Sequence, residues 1–146
     1  LNDGASAILL SDQREGAIAE IIGYGEAELE PSKFTIAPSV AIPLALSRAF
    51  PGDSLSVGLS KVSRMEVNEA FSVVALANHK LLHLDQYPHI AYNAHGGAVS
   101  LGHPIGSSGC RIVVSLVHAL ERGQVGVAAI CNGGGGASAL VVRRLM

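Results

Sequence analysis

Three short stretches hold residues whose types and spacing suit acid–base chemistry. His103 stands between glycines in GGAVSLGHPIGSSG, Gly96–Gly109. Gly102 and Gly106 leave the backbone there open to a ligand, and Pro104 fixes the direction of the chain after the ring. A helix starting just beyond would add positive potential for a developing oxyanion. Cys131 ends an apolar run and opens CNGGGG, Cys131–Gly136. The glycines spare side chains and expose backbone N–H groups, so a thiol beside them can have its pKa lowered and act as base or nucleophile. Gly133 is placed to give one N–H to an oxyanion. Asn68 lies in VNEAF, Val67–Phe71, where a strand gives way to a helix.

Each residue also has a plain structural reading. A single histidine is more often a surface or core residue, and a free cysteine is often a small buried hydrophobe. Asn68 reads as an N-cap, and Glu69 as a first-turn carboxylate favouring the helix dipole. CNGGGG alone would also suit a phosphate, but it lacks the G-x-G-x-x-G spacing and a P-loop lysine. His79 and His83 stand four apart, a metal-binding spacing without a third ligand nearby, so a solvated helix face is favoured. Cys110 reads as packing, while His89 and His118 carry no signal. No metal-ligand spacing relates the two cysteines, and reduced thiols are favoured over a lone disulfide.

The elements that must position these groups alternate between strand and helix. Strands are expected at Ala5–Ser11, Ile18–Tyr24, Met65–Val67, Val125–Cys131 and Ala137–Val142, with Ile90–Tyr92 short and extended. Helices are expected at Pro38–Phe50, with Pro43 in its early turns, at Glu69 to about Leu84, and from near Gly106 to Arg122, stopped by Gly123. Glu26–Lys33 and Pro51–Lys61 read as loops, and Asn132–Gly136 as a tight turn. This alternation is that of an α/β layered domain. The short turn makes the last two strands antiparallel, so the sheet is mixed.

With 146 residues the chain is long enough for one domain with a sizeable core. Only 15% of residues are charged against 49% hydrophobic, which suits a chain that buries part of itself against another domain or subunit. The net charge of −2, without a basic cluster beyond Arg143–Arg144, argues against nucleic acid. The run Ile112–Leu120 is too short to span a bilayer. No signal or transit peptide is expected at Leu1, since the first residues already read as structure, and RRLM does not read as a peroxisomal address. LNDGASAILLS reads as the middle of a turn and strand, so the chain is expected to be the C-terminal piece of something longer.

NEAF (Asn68–Phe71), GHPxGxSG (Gly102–Gly109) and CxGGG (Cys131–Gly135) together resemble the C-terminal motifs of the thiolase family, in order. NDGA (Asn2–Ala5) looks like the segment closing that family's N-terminal half. Similarity therefore covers nearly all of the chain, and FTIAP (Phe34–Pro38), GGAVSLGHPIG and CNGGGGASA look most like the acetoacetyl-CoA thiolase branch. The resemblance implies a thiolase-like fold: residues 1–16 end the N-terminal domain, and 17–146 form the C-terminal half, a mixed five-stranded sheet covered by helices. That half would pair with an N-terminal half into a layered αβαβα core, in homodimers or homotetramers.

The resemblance also implies an acyltransferase that reversibly condenses two acetyl-CoA into acetoacetyl-CoA and CoA. The acyl-accepting cysteine matches nothing here and would come from upstream of Leu1. His103 would activate that thiol and, with a water held by Asn68, polarise the thioester oxygen. Cys131 would remove the α-proton of acetyl-CoA, or protonate the leaving carbanion in thiolysis. Gly133 would lend its N–H to a second oxyanion site. Apart from the resemblance, Gly102 is a candidate substrate-binding residue through its open backbone, and His95, in the same loop as His103, could border the coenzyme A channel or equally satisfy loop backbone. Some branch members hold a potassium ion near the position of Val99, their other ligands lying outside this chain. Mitochondrion and cytoplasm both remain open as compartments. The contrasting expectation is a truncated, non-catalytic half that serves assembly or coenzyme A binding.

Overall fold

The structure, a computed structural model, describes residues 1–146. Five strands form one mixed sheet in the order β1-β5-β4-β2-β3. They are β1 (Ala19–Glu28), β2 (Val62–Val67), β3 (Ala91–Tyr92), β4 (Val125–Cys131) and β5 (Gly136–Arg144). β1 and β4 each pair antiparallel with β5, whereas β2 runs parallel to both β4 and β3. The helices are α1 (Pro38–Ala49), α2 (Leu55–Ser60), α3 (Ser72–Leu81), α4 (Ala98–Leu101) and α5 (Ile105–Ala119), with 3-10 turns at Pro31–Ile36 and Leu84–Gln86.

Side-chain alternation along the strands builds two cores. Val125, Val127, Ala129 and Cys131 of β4 join Met65 and Val67 of β2 beneath α1 and α3, around buried Ile42, Leu46 and Val74. Ala128 and Val142 face the opposite way and meet Ile112, Leu116 and Val117 of α5 and Leu120 at its end. Both faces are therefore covered, which is why β4 reads as a continuous apolar run. Close approach on the first face depends on glycine: a Cβ on Gly23 or Gly25 would run into the backbone carbonyl of Ala45 or Ala41 on α1.

Four expectations fail in whole or in part. Ala5–Ser11 forms no strand, because no strand of this sheet lies beside it; Leu9 and Leu10 stay exposed. Only its start is fastened, Ser6 Oγ lying 2.7 Å from Ser107 Oγ and donating to the Ser107 carbonyl at 3.1 Å. Pro51–Lys61 contains a helix rather than only loop, α2, whose N-cap Ser54 accepts from the Val57 N–H. Glu26–Lys33 is not one loop: β1 runs on to Glu28 against β5, and a 3-10 turn follows. The helix after VNEAF also begins late, at Ser72, since Phe71 keeps an extended backbone.

Candidate active site

β2 and β4 are parallel neighbours, so their C-terminal ends lie at the same edge of the sheet. The Asn68 N–H donates to the Ala129 carbonyl at 2.9 Å, carrying the pairing just past β2, and Cys131 closes β4 two residues later. α5 runs back along the sheet, and Gly109 in its early turns lies against the side chain of Ile130. His103, just ahead of α5, therefore comes to the edge that carries Asn68 and Cys131. Ligand sites in α/β sheets favour such an edge.

His103 is held from several sides. Its Nδ1 lies 2.7 Å from Ser108 Oγ, one turn into α5, and Ser108 is fully buried. The Ser108 hydroxyl donates to the Pro104 carbonyl at 3.1 Å, so it receives the Nδ1–H. That leaves Nε2 unprotonated and able to accept a proton. Gly102 has the left-handed φ of +87°, and its carbonyl accepts from Arg111 Nη1 at 3.0 Å. Burial first, and then the Arg111 charge, pushes the imidazole pKa below its ordinary value. The ring is therefore neutral near pH 7, as a base requires.

Asn68 is not an N-cap. It is 2% exposed, and neither its Oδ1 nor its Nδ2 has a hydrogen-bond partner. A buried carboxamide with both ends free is costly unless something else fills them, and a water or substrate oxygen would do so. The neighbouring Asn93, at the left-handed φ of 44°, explains how Asn68 is held in place. Its Oδ1 accepts from the Val67 N–H at 2.9 Å and its Nδ2 donates to the Val67 carbonyl at 3.0 Å.

Glu69 does not serve the dipole of α3. Its Oε2 accepts the Val99 N–H at 2.9 Å, and its Oε1 lies 3.4 Å from Asn93 Nδ2. It thus ties VNEAF to the loop that leads to His103, and a Cβ on Gly97 would collide with its carboxylate. Val99 itself is exposed, its N–H spent on Glu69. It could offer a cation one carbonyl oxygen, and no three His, Cys, Asp or Glu side chains cluster as a metal site. A potassium ion would need ligands from elsewhere, so no step is routed through it.

Cys131 is 8% exposed and, like Cys110, is a free thiol. Burial raises its pKa, outweighing a backbone hydrogen bond that lowers it, so the lowered value expected beside the glycine turn is not realised. The turn is nonetheless an ordered cradle. Asn132 N–H donates to the Gly136 carbonyl and Gly135 N–H to the Asn132 carbonyl. Gly134 and Gly136 N–H both donate to Asn132 Oδ1 at 3.2 Å. Gly133 keeps its N–H unengaged and lies at the surface.

The remaining histidines make no hydrogen bond to His103, Asn68 or Cys131. His95 is exposed in the loop before α4 and makes no hydrogen bond. His79 packs edge-on against Tyr92 and lies 3.8 Å from Asp85, whereas His83 sits past the end of α3 in a left-handed turn. Sequence reasoning missed Ser108, Asn93, Asn132 and Arg111. Only Ser108 carried a signal, since a residue five beyond His103 comes back to it once α5 begins at Ile105.

Comparison with known proteins identifies the family. Residues 16–144 match the family model described as "Thiolase, C-terminal domain". A probable acetyl-CoA acetyltransferase of Dictyostelium discoideum is 50% identical over 99% of the chain and 35% of its own length. The mitochondrial acetyl-CoA acetyltransferase of Rattus norvegicus is 48% identical over 99% of the chain and 34% of its own length. Among solved structures, the Acat5 thiolase from Ascaris suum in complex with coenzyme A superposes with a TM-score of 0.77 at 48% identity, covering 88% of this chain and 31% of that one. Human mitochondrial 3-ketoacyl-CoA thiolase gives a TM-score of 0.75 at 40% identity, with the same coverage. The chain thus spans about a third of the length of the relatives it matches. With motifs, sheet and family model in agreement, the chain belongs to the thiolase family.

Proposed function

We propose that this chain supplies the proton-transfer half of a thiolase active site. The reaction is the reversible condensation of two acetyl-CoA to acetoacetyl-CoA and CoA. The observation that carries the reading is that His103, Asn68 and Cys131 share one sheet edge, with an unpartnered Asn68 carboxamide and an unengaged Gly133 N–H. Relatives called acetyl-CoA acetyltransferase, and a related thiolase solved with coenzyme A, support the substrate class.

The roles follow from protonation states. A thioester α-proton is weakly acidic, so the enolate oxygen must be stabilised while a base acts. Neutral His103, with Nε2 free, takes the proton of the acyl-accepting thiol. A water on Asn68 and the His103 ring then face one thioester oxygen, and the Gly133 N–H faces the other. The raised Cys131 pKa keeps its proton in the resting state, which suits donation to the carbanion released on thiolysis. In condensation Cys131 gives its proton to the CoA thiolate released when the acyl-accepting cysteine is acetylated, and the Cys131 thiolate so formed takes the α-proton of the second acetyl-CoA.

The acyl-accepting cysteine belongs to a thiolase N-terminal half. We infer that residues 1–16 close that half and 17–146 form the C-terminal domain, in a homodimer or homotetramer. Either the mitochondrion or the cytoplasm fits; some relatives are called mitochondrial. Full-length protein carrying this chain should cleave acetoacetyl-CoA with CoA into two acetyl-CoA. Coenzyme A binding without cleavage would instead support a non-catalytic assembly half.

A further inference from the structure

We propose that Asn132 is a positioning residue that aims the Gly133 N–H. The inference rests on the reading of Gly133 as an oxyanion donor. Gly133 to Gly136 are four successive glycines, the residues with the greatest backbone freedom. A fixed N–H direction in such a run must be imposed by groups outside it. On the far side the Leu29 N–H donates to the Gly135 carbonyl at 3.0 Å, and a Cβ at Gly135 would strike the Leu29 carbonyl. On the near side the one side chain within the turn is that of Asn132. Its Oδ1 accepts the Gly134 and Gly136 N–H groups, and its backbone pairs with Gly136 and Gly135.

The amides on both sides of Gly133 are thereby engaged, and a single donor is left facing out. A preorganised donor is effective because it need not reorient as charge develops. Without the carboxamide, the Gly134 and Gly136 N–H groups would lose their acceptor and the tripeptide Gly133–Gly135 would sample several directions. Asn132 is exposed and touches no proposed reacting atom, so it acts through Gly133.

Asn132→Ala and Asn132→Asp in the full-length protein test this, with acetoacetyl-CoA and CoA as substrates. Aspartate keeps an acceptor oxygen at the same place, and alanine removes it. Removing an oxyanion donor costs about 100- to 1,000-fold in kcat, so loosening one should cost about 10- to 100-fold with KM nearly unchanged. We expect that loss for Asn132→Ala and recovery to within about fivefold of wild type for Asn132→Asp. An alanine variant within about threefold of wild type, or an aspartate variant as slow as alanine, would overturn the proposal. If the alanine variant does not fold, Asn132→Leu, which also lacks the acceptor oxygen, is held to the same limit of about threefold. A Cys131→Ala variant run alongside separates the two readings, because full activity there would defeat the proposed function itself.

Discussion

Replacing Ser108 with alanine removes the acceptor of the His103 Nδ1–H and little else. The hydroxyl is fully buried, 2.7 Å from Nδ1, with its own proton on Pro104. A neutral hydrogen bond contributes a net of about 0.5–1.5 kcal/mol, and an N–H left without an acceptor costs about 1–3 kcal/mol. The ring escapes that cost by moving its proton to Nε2, where it can no longer act as a base. Loss of about 1.4–2.8 kcal/mol of tautomer preference corresponds to a 10- to 100-fold fall in kcat. The direct assay is a long-range proton–nitrogen NMR spectrum of His103 in labelled protein, above its pKa. Wild type should show a protonated Nδ1 and a bare Nε2, and Ser108→Ala should show Nε2–H. Ser107→Ala is the control: Ser107 lies on the same turn but bonds Ser6, so the His103 tautomer should not change. An Nε2–H tautomer already present in wild type would refute the reasoning.

Two further outcomes test the scaffold. Gly25→Ala would drive a Cβ into the Ala41 carbonyl and should destabilise the protein by about 2–3 kcal/mol in denaturant unfolding, with near-wild-type stability contradicting the packing. Glu66, buried on β2, has its pKa raised to about 7, by burial and then Glu69 against the lowering effect of Arg64. Its folded-state pKa exceeds the unfolded one, so the neutral form's stability is fully present below about pH 4.5 and is lost as pH rises through about 7. The shift would be worth about 3 kcal/mol, and partial screening by solvent reduces it to about 1–2 kcal/mol. Glu66→Gln should flatten that fall between pH 5 and 8; an unchanged slope would contradict the burial.

The motifs were legible because they combine residue types that packing alone does not require together. A glycine–histidine–proline run and a cysteine and asparagine ahead of four glycines mark the candidate site, and Val125–Cys131 reads as an apolar strand. What the sequence hid depends on long-range partners. Glu69 looks like a helix-dipole carboxylate until the chain returns at Val99, 30 residues on, and presents its N–H. Asn68 looks like a cap until Phe71 proves extended and the helix begins beyond it. The Cys131 thiol sits beside N–H groups that would lower its pKa, but burial dominates, and burial is a property of the assembled sheet. Ala5–Ser11 has strand chemistry without a strand neighbour, so its apolar run alone overstated it.

The central claim is that Cys131 moves the α-proton of the thioester. Its most direct measurement is the uptake of deuterium into the methyl group of acetyl-CoA incubated in heavy water with the full-length protein. Wild type should exchange those protons, and Cys131→Ala should slow exchange by at least about 100-fold while coenzyme A still binds. Exchange at the wild-type rate in the Cys131→Ala protein would place the base elsewhere and contradict the account.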